Sequence, residues 1–211
     1  MYNSIHASVE KIQISAMIGL SMCKIVQEPH SALRTHAQEV DIDRITKPEI
    51  QSVLQSMKKA LHLEPDGVAI AAPQIAETLR IFIVAGFVFD LKKKNITGTK
   101  TADKVFINPE IIKSSKETVW MDGEGCLSVR WIYGKTKRHK QVTVRAYDEQ
   151  GKIFTISGSG LLSQIFQHEI DHLDGILFID HAKDIRHMTD DEIEDYKEEL
   201  NLLAHHHVST S

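Results

Sequence analysis

Two histidines stand four residues apart, with a glutamate beside the first, at His168-Glu169-Ile170-Asp171-His172. On a helix that spacing puts both imidazoles on one face, where they can hold one metal ion. Glu169 then lies next to a water that the ion activates, and can take its proton. The flanks support a helix. Leu161, Ile165, His168 and His172 fall at i, i+4, i+7 and i+11, and Gly175 follows as a stop signal. Histidine is common here, 12 in 211 residues, so a chance match on a solvated helical face has to be weighed. Two other segments weigh against it.

A tetrahedral catalytic metal takes three protein ligands and leaves a fourth position for water. A cysteine thiolate is a suitable third ligand beside two imidazoles. The chain has two cysteines, Cys23 and Cys126. Cys126 lies in Glu124-Gly125-Cys126-Leu127-Ser128, a strand-like stretch whose glycine lets backbone come close to a ligand. Cys23 reads better as a small buried apolar residue. The second segment, Gly67-Val68-Ala69-Ile70-Ala71-Ala72-Pro73-Gln74, is small and apolar with one side-chain amide at its end. Its glycine and alanines let a substrate backbone lie against the chain. Gln74 can donate to an oxygen that turns negative during hydrolysis. Alone, this segment reads more readily as a tightly packed strand and turn.

Together and in this order, the three segments resemble the peptide deformylase family, which carries Gly-x-Gly-x-Ala-Ala-x-Gln, Glu-Gly-Cys-x-Ser and His-Glu-x-x-His. The resemblance runs from about Lys24 to Asp180. It implies an α+β fold with antiparallel sheets around a central metal-binding helix. The activity it implies is hydrolysis of the formyl group from the N-terminal formyl-methionine of new polypeptides, releasing formate. By the same resemblance Cys126, His168 and His172 hold the metal and Glu169 carries the proton. Gln74 and the backbone N–H of Leu127 then stabilise the oxyanion. Gly67, Val68, Ala69 and Gly125 are expected along the bound peptide, with Val68, Leu161 and Ile165 lining a methionine pocket. One divalent metal ion is implied. Fe2+ is the expected physiological ion, and Zn2+, Ni2+ or Co2+ accept the same ligands and are expected in purified protein.

The chain departs from the family pattern in places. Ala69 stands where the second glycine of the first motif belongs, so its methyl group is expected to narrow the peptide groove. Arg130 stands where many members have proline and is followed by Trp131. Tyr133 takes a place where some members have an arginine near the peptide. These changes bear on substrate preference and rate, and leave the ligands and Glu169 intact. Two other functions compete. One is a peptidase of the general His-Glu-x-x-His type, opposed by the cysteine and by the absence of a downstream third His or Glu motif. The other is a deformylase-like peptide-binding protein with weakened catalysis, motivated by Ala69 and Arg130.

The remaining elements must position these residues. Ile50, Val53, Leu54, Met57 and Leu61 are at helical spacing, so a helix is expected within Ile45–Leu63, opened by a Thr46/Glu49 capping box. Ile81–Val88 reads as a buried strand and Asp90–Asp103 as a surface loop. Phe106–Pro109, Lys116–Met121, Gln141–Tyr147 and Lys152–Ser157 read as strands, with a turn at Asp148–Gly151. The basic run Lys135–Lys140 reads as a solvated loop. Thr189 is expected to cap a last helix through Leu203, rich in acidic residues.

At 211 residues and 42% hydrophobic, the chain can bury one core. Residues 23–205 are expected to form a single catalytic domain, with 1–22 a mobile extension and 206–211 a disordered tail. A net charge of −4 gives no global argument for DNA. No apolar run approaches the roughly 18–20 residues that span a membrane. Two cysteines leave no disulfide framework, which fits a reducing compartment. A bacterial cytoplasm is expected, with an organelle stroma or matrix as the alternative. The implied partners are N-formyl-Met nascent peptides and a transient ribosome contact, and the chain is expected to be a monomer. Some family members dock through a basic C-terminal helix; the acidic last helix here does not carry that contact over.

Overall fold

The computed structural model describes residues 24–91 and 101–208. The expected extension over residues 1–22 lies outside them, as do Cys23 and residues 209–211 of the expected tail. The helix α1 (Pro48–His62) buries Ile50, Val53, Leu54, Met57 and Leu61, the face that their spacing predicts. The capping box does not form. Lys47 is the N-cap without a side-chain bond, and Pro48 opens the helix, where its fixed φ suits the first turn.

The described residues form two antiparallel sheets, and α1 packs on β1 of the larger one. The larger has the order β1-β2-β3-β6-β7, from β1 (Ala69–Ala71), β2 (Ile81–Val84), β3 (Lys104–Ser114), β6 (Gln141–Tyr147) and β7 (Ile153–Ser159). The smaller has the order β4-β5-β8, from β4 (Thr118–Cys126), β5 (Val129–His139) and β8 (Lys183–His187). Every pairing between these strands is antiparallel.

Two expectations are corrected. The strand expected over Ile81–Val88 ends at Val84, and the chain turns into a short helix, α2 (Gly86–Asp90). Gly86 packs so closely on the segment after it that a Cβ there would meet the Thr101 carbonyl, and its N–H donates to Asp103. The run Lys135–Lys140 is a strand, not a loop, up to His139. Its buried side chains, Thr136 and Arg138, are polar, so no hydrophobic alternation marks it.

The motif helix, α3 (Leu161–Leu173), lies between the sheets, packed on β7, β1, β6 and β5. It is buried almost all round, from Ser163 to Ile170 and again at His172 and Leu173. Phe166 anchors it in the core, its ring centroid 5.2 Å from Phe106, which stacks on Phe82 at 4.4 Å. Gly175 ends it with φ 75°, donating to the His172 carbonyl while Ile176 donates to that of Asp171, a Schellman closure. The last helix, α4 (Asp190–Val208), starts as expected. The Thr189 hydroxyl accepts from the Glu192 N–H, and the Glu192 carboxylate accepts from the Thr189 N–H. Among the described residues no helix is long and apolar enough to cross a membrane.

Candidate metal centre

Two elements converge on one point. The end of β4 supplies Cys126, and consecutive turns of α3 supply His168 and His172. One ligand atom of each lies within 4.8 Å of the others. Cys126 Sγ is 3.1 Å from His172 Nε2. A tight turn at Leu127 and Ser128 reverses the chain, pairing Cys126 with Val129, and turns the Ser128 N–H onto Sγ at 3.4 Å.

The electrostatics prepare the thiolate. Burial alone would push the Cys126 thiol up, but the charge of His172 and a hydrogen bond from His168 outweigh it and hold the pKa at about 5. Burial disfavours the His168 cation, but Cys126 and Glu124 outweigh it and raise that pKa well above the ordinary value. The buried thiolate and the His168 imidazolium thus favour each other's charged forms. A divalent cation would supply that positive charge instead, so the donor set fits one.

A second ring of groups holds the first. His168 Nδ1 lies 2.8 Å from Glu124 Oε1, which turns Nε2 toward the thiolate side. Glu124 also accepts from Thr136 Oγ1 at 2.5 Å, from Gln164 Nε2 at 3.0 Å and from the Arg138 guanidinium. Burial would raise the Glu124 carboxyl, but His168 and Arg138 keep it well below the usual carboxylate range. Arg138 reaches on to Asp171 at 2.5 Å, tying β5 to α3. Sequence reasoning missed Thr136, Arg138 and Gln164 altogether, and took Glu124 only as part of a motif.

Glu169 sits beside this centre, 4% exposed. Burial pushes its carboxyl up to about 7, and its Oε2 is buried without a hydrogen-bond partner. A buried carboxylate oxygen in that state asks for a donor, and a water on a bound cation is one. Gln74 is fixed by a 3-10 turn over Ala72–Ile75. Its Oε1 accepts from the Ala71 N–H at 2.8 Å, so the amide donor end faces Ser128 Oγ at 3.2 Å and Cys126 Sγ at 3.6 Å.

A cavity of about 230 Å³ opens on the centre. Its walls include Gln74, Leu127, His168 and Glu169, and also Val68, Ala69, Gly125, Leu161 and Ile165. Gly67 is not on its wall; a Cβ there would come within 2.9 Å of Leu61, which explains the glycine by packing on α1. Ala69 lies in β1 opposite Val84, outside the positive-φ residues, so alanine fits its backbone without strain. Arg130 ion-pairs with Glu64 and, at 2.8 Å, with Asp66. Trp131, Tyr133 and Tyr196 of α4 also line the cavity.

The chain is similar to known proteins in sequence and in fold. The sequence matches the family described as polypeptide deformylase over residues 22–188. It is 35% identical over 167 residues to peptide deformylase 2 of Xanthomonas campestris pv. campestris, covering 79% of this chain and 91% of that one. It is 36% identical over 167 residues to the peptide deformylase of Rhodopseudomonas palustris, covering 79% and 87%. Among solved structures it resembles the actinonin-bound class I type b peptide deformylase from Acinetobacter baumannii. The TM-score is 0.64 at 30% identity, over 76% of this chain and 97% of that one.

Proposed function

The chain belongs to the polypeptide deformylase family, and from that premise we infer that it hydrolyses the formyl group of N-terminal formyl-methionine on new polypeptides, releasing formate. The observation that carries this reading is the meeting of Cys126, His168 and His172 around one point, with buried Glu169 beside them on the wall of one cavity.

A divalent ion held by Cys126, His168 and His172 would lower the pKa of a water and polarise the formyl oxygen. Glu169 takes the proton of the attacking water on its carboxylate, and its raised pKa suits it to hold that proton. As the C–N bond breaks, Glu169 delivers the proton to the leaving amine, so water and formamide become formate and amine. Gln74 Nε2 and the backbone N–H of Leu127 stabilise the oxyanion formed on the formyl carbon's oxygen. Val68, Leu161 and Ile165 receive the methionine side chain, and Ala69 and Gly125 lie along the peptide.

Fe2+ is the physiological ion in this reading. The thiolate's charge makes the bound cation a weaker Lewis acid than three neutral imidazoles would, and iron also accepts five ligands. Zn2+, Ni2+ or Co2+ then occupy the same ligands in purified protein. Residues 23–205 act as one catalytic domain, monomeric and in a bacterial cytoplasm, meeting nascent chains through transient ribosome contact. The reading as a binding protein with weakened catalysis loses one of its motives, since Ala69 sits in unstrained extended backbone. Anaerobic purification, metal analysis and a formate-release assay on a formyl-Met tripeptide test the whole reading. Stoichiometric formate supports it; internal peptide cleavage, or binding without turnover, overturns it.

A further inference from the structure

We propose that Tyr196, on the C-terminal helix, is a specificity-determining residue of the peptide site. With Trp131 and Asp66 it forms the wall that receives the peptide residues C-terminal to formyl-methionine. The proposal rests on the deformylase reading.

Helix α4 comes after the sequence segment that carries the catalytic motifs, and most of its described side chains are exposed. Tyr196 nevertheless lines the same cavity as His168 and Glu169. Its hydroxyl donates to Asp66 Oδ2 at 3.3 Å, across 130 positions of sequence. The same oxygen accepts from Arg130 Nη1 at 2.8 Å. One carboxylate thus joins the loop after α1, the start of β5 and the C-terminal helix. Burial and the charge of Asp66 push the Tyr196 phenol up to about 12, so the hydroxyl stays a donor at neutral pH.

Two further features point to a ligand at this wall. Trp131 has φ 66°, a left-handed conformation that a bulky side chain rarely accepts. Such strain persists where the surroundings fix it and clusters at binding sites. Here the Tyr196 ring meets Trp131 edge-on at 6.0 Å and the Trp131 carbonyl accepts from Met188 at 2.9 Å. Second, Asp66 Oδ1 is buried without a hydrogen-bond partner. Asp66 itself lines the cavity, so its carboxylate gives that wall acceptor character, and a peptide's N–H groups are donors. The apolar residues Leu161 and Ile165 serve the methionine, so the aromatic and carboxylate wall is left for the second and third residues of the peptide.

The test compares kcat/KM for formyl-Met-Ala-Ser with that for formyl-methionine, in wild type and in Tyr196→Leu. The expected result is a fall of about fivefold or more in the tripeptide-to-amino-acid ratio, arising in KM, as loss of uniform binding should. An unchanged ratio, or a fall in kcat alone, overturns the proposal and leaves the deformylase reading standing. Turnover of neither substrate by wild type overturns both. A second measurement does not depend on that variant. With Trp120→Phe, Trp131 is the remaining tryptophan of the chain, and binding of the product Met-Ala-Ser is expected to shift its emission. No shift at a product concentration that inhibits turnover overturns the proposal.

Discussion

His168 Nδ1 lies 2.8 Å from Glu124 Oε1, and Glu124 is itself held by the buried Arg138 guanidinium. The carboxylate fixes which nitrogen of His168 is left for a metal, so the ligand's orientation is set from β4 and β5 rather than from α3 alone. Glu124→Gln is therefore expected to weaken metal binding on the order of 10–100-fold, the usual effect of losing such a partner. Competition with a chelator measures it. An affinity equal to wild type would show that α3 orients His168 unaided.

Glu169 must be ionised to accept a proton. Its carboxyl is pushed up by burial to about 7, and a bound cation would pull it down, so kcat/KM is expected to fall on acidification with an acid limb between about 4.3 and about 7. Below the folded pKa the base is protonated and inactive; above it the rate is flat. Glu169→Ala is expected to retain the metal and lose on the order of 10²–10⁴ in rate. A rate within a few-fold of wild type would assign the proton to another group.

Ala69 places a methyl group on the cavity wall from an extended strand. Ala69→Gly is expected to change KM for a formyl-Met tripeptide more than kcat, because the metal ligands and Glu169 are untouched. Steady-state kinetics separate the two constants. An unchanged KM with a fallen kcat would place the methyl group's effect on the chemical step.

The centre was legible where chemistry and period coincide. His168, His172 and Glu169 sit on a helix whose spacing is visible, and α1 shows the same apolar period. The network behind them was not legible. Thr136 and Arg138 alternate with exposed Lys137, and Arg138 is buried because Glu124 and Asp171 satisfy its charge, which composition cannot reveal. Strand β8 is exposed at every residue and carries no pattern at all. The helix turn at Gly86 depends on contact with Thr101, and the place of Tyr196 depends on Asp66, far away in the chain. Both are products of tertiary packing.

Metal content and formate release, measured together on wild type and Cys126→Ser, decide whether Cys126 holds a catalytic ion. A serine alcohol is a far poorer ligand than a thiolate whose pKa is held at about 5. About one divalent ion per wild-type chain is expected, with stoichiometric formate from formyl-Met-Ala-Ser, and loss of both in Cys126→Ser. Full metal occupancy and undiminished formate release in Cys126→Ser would contradict it.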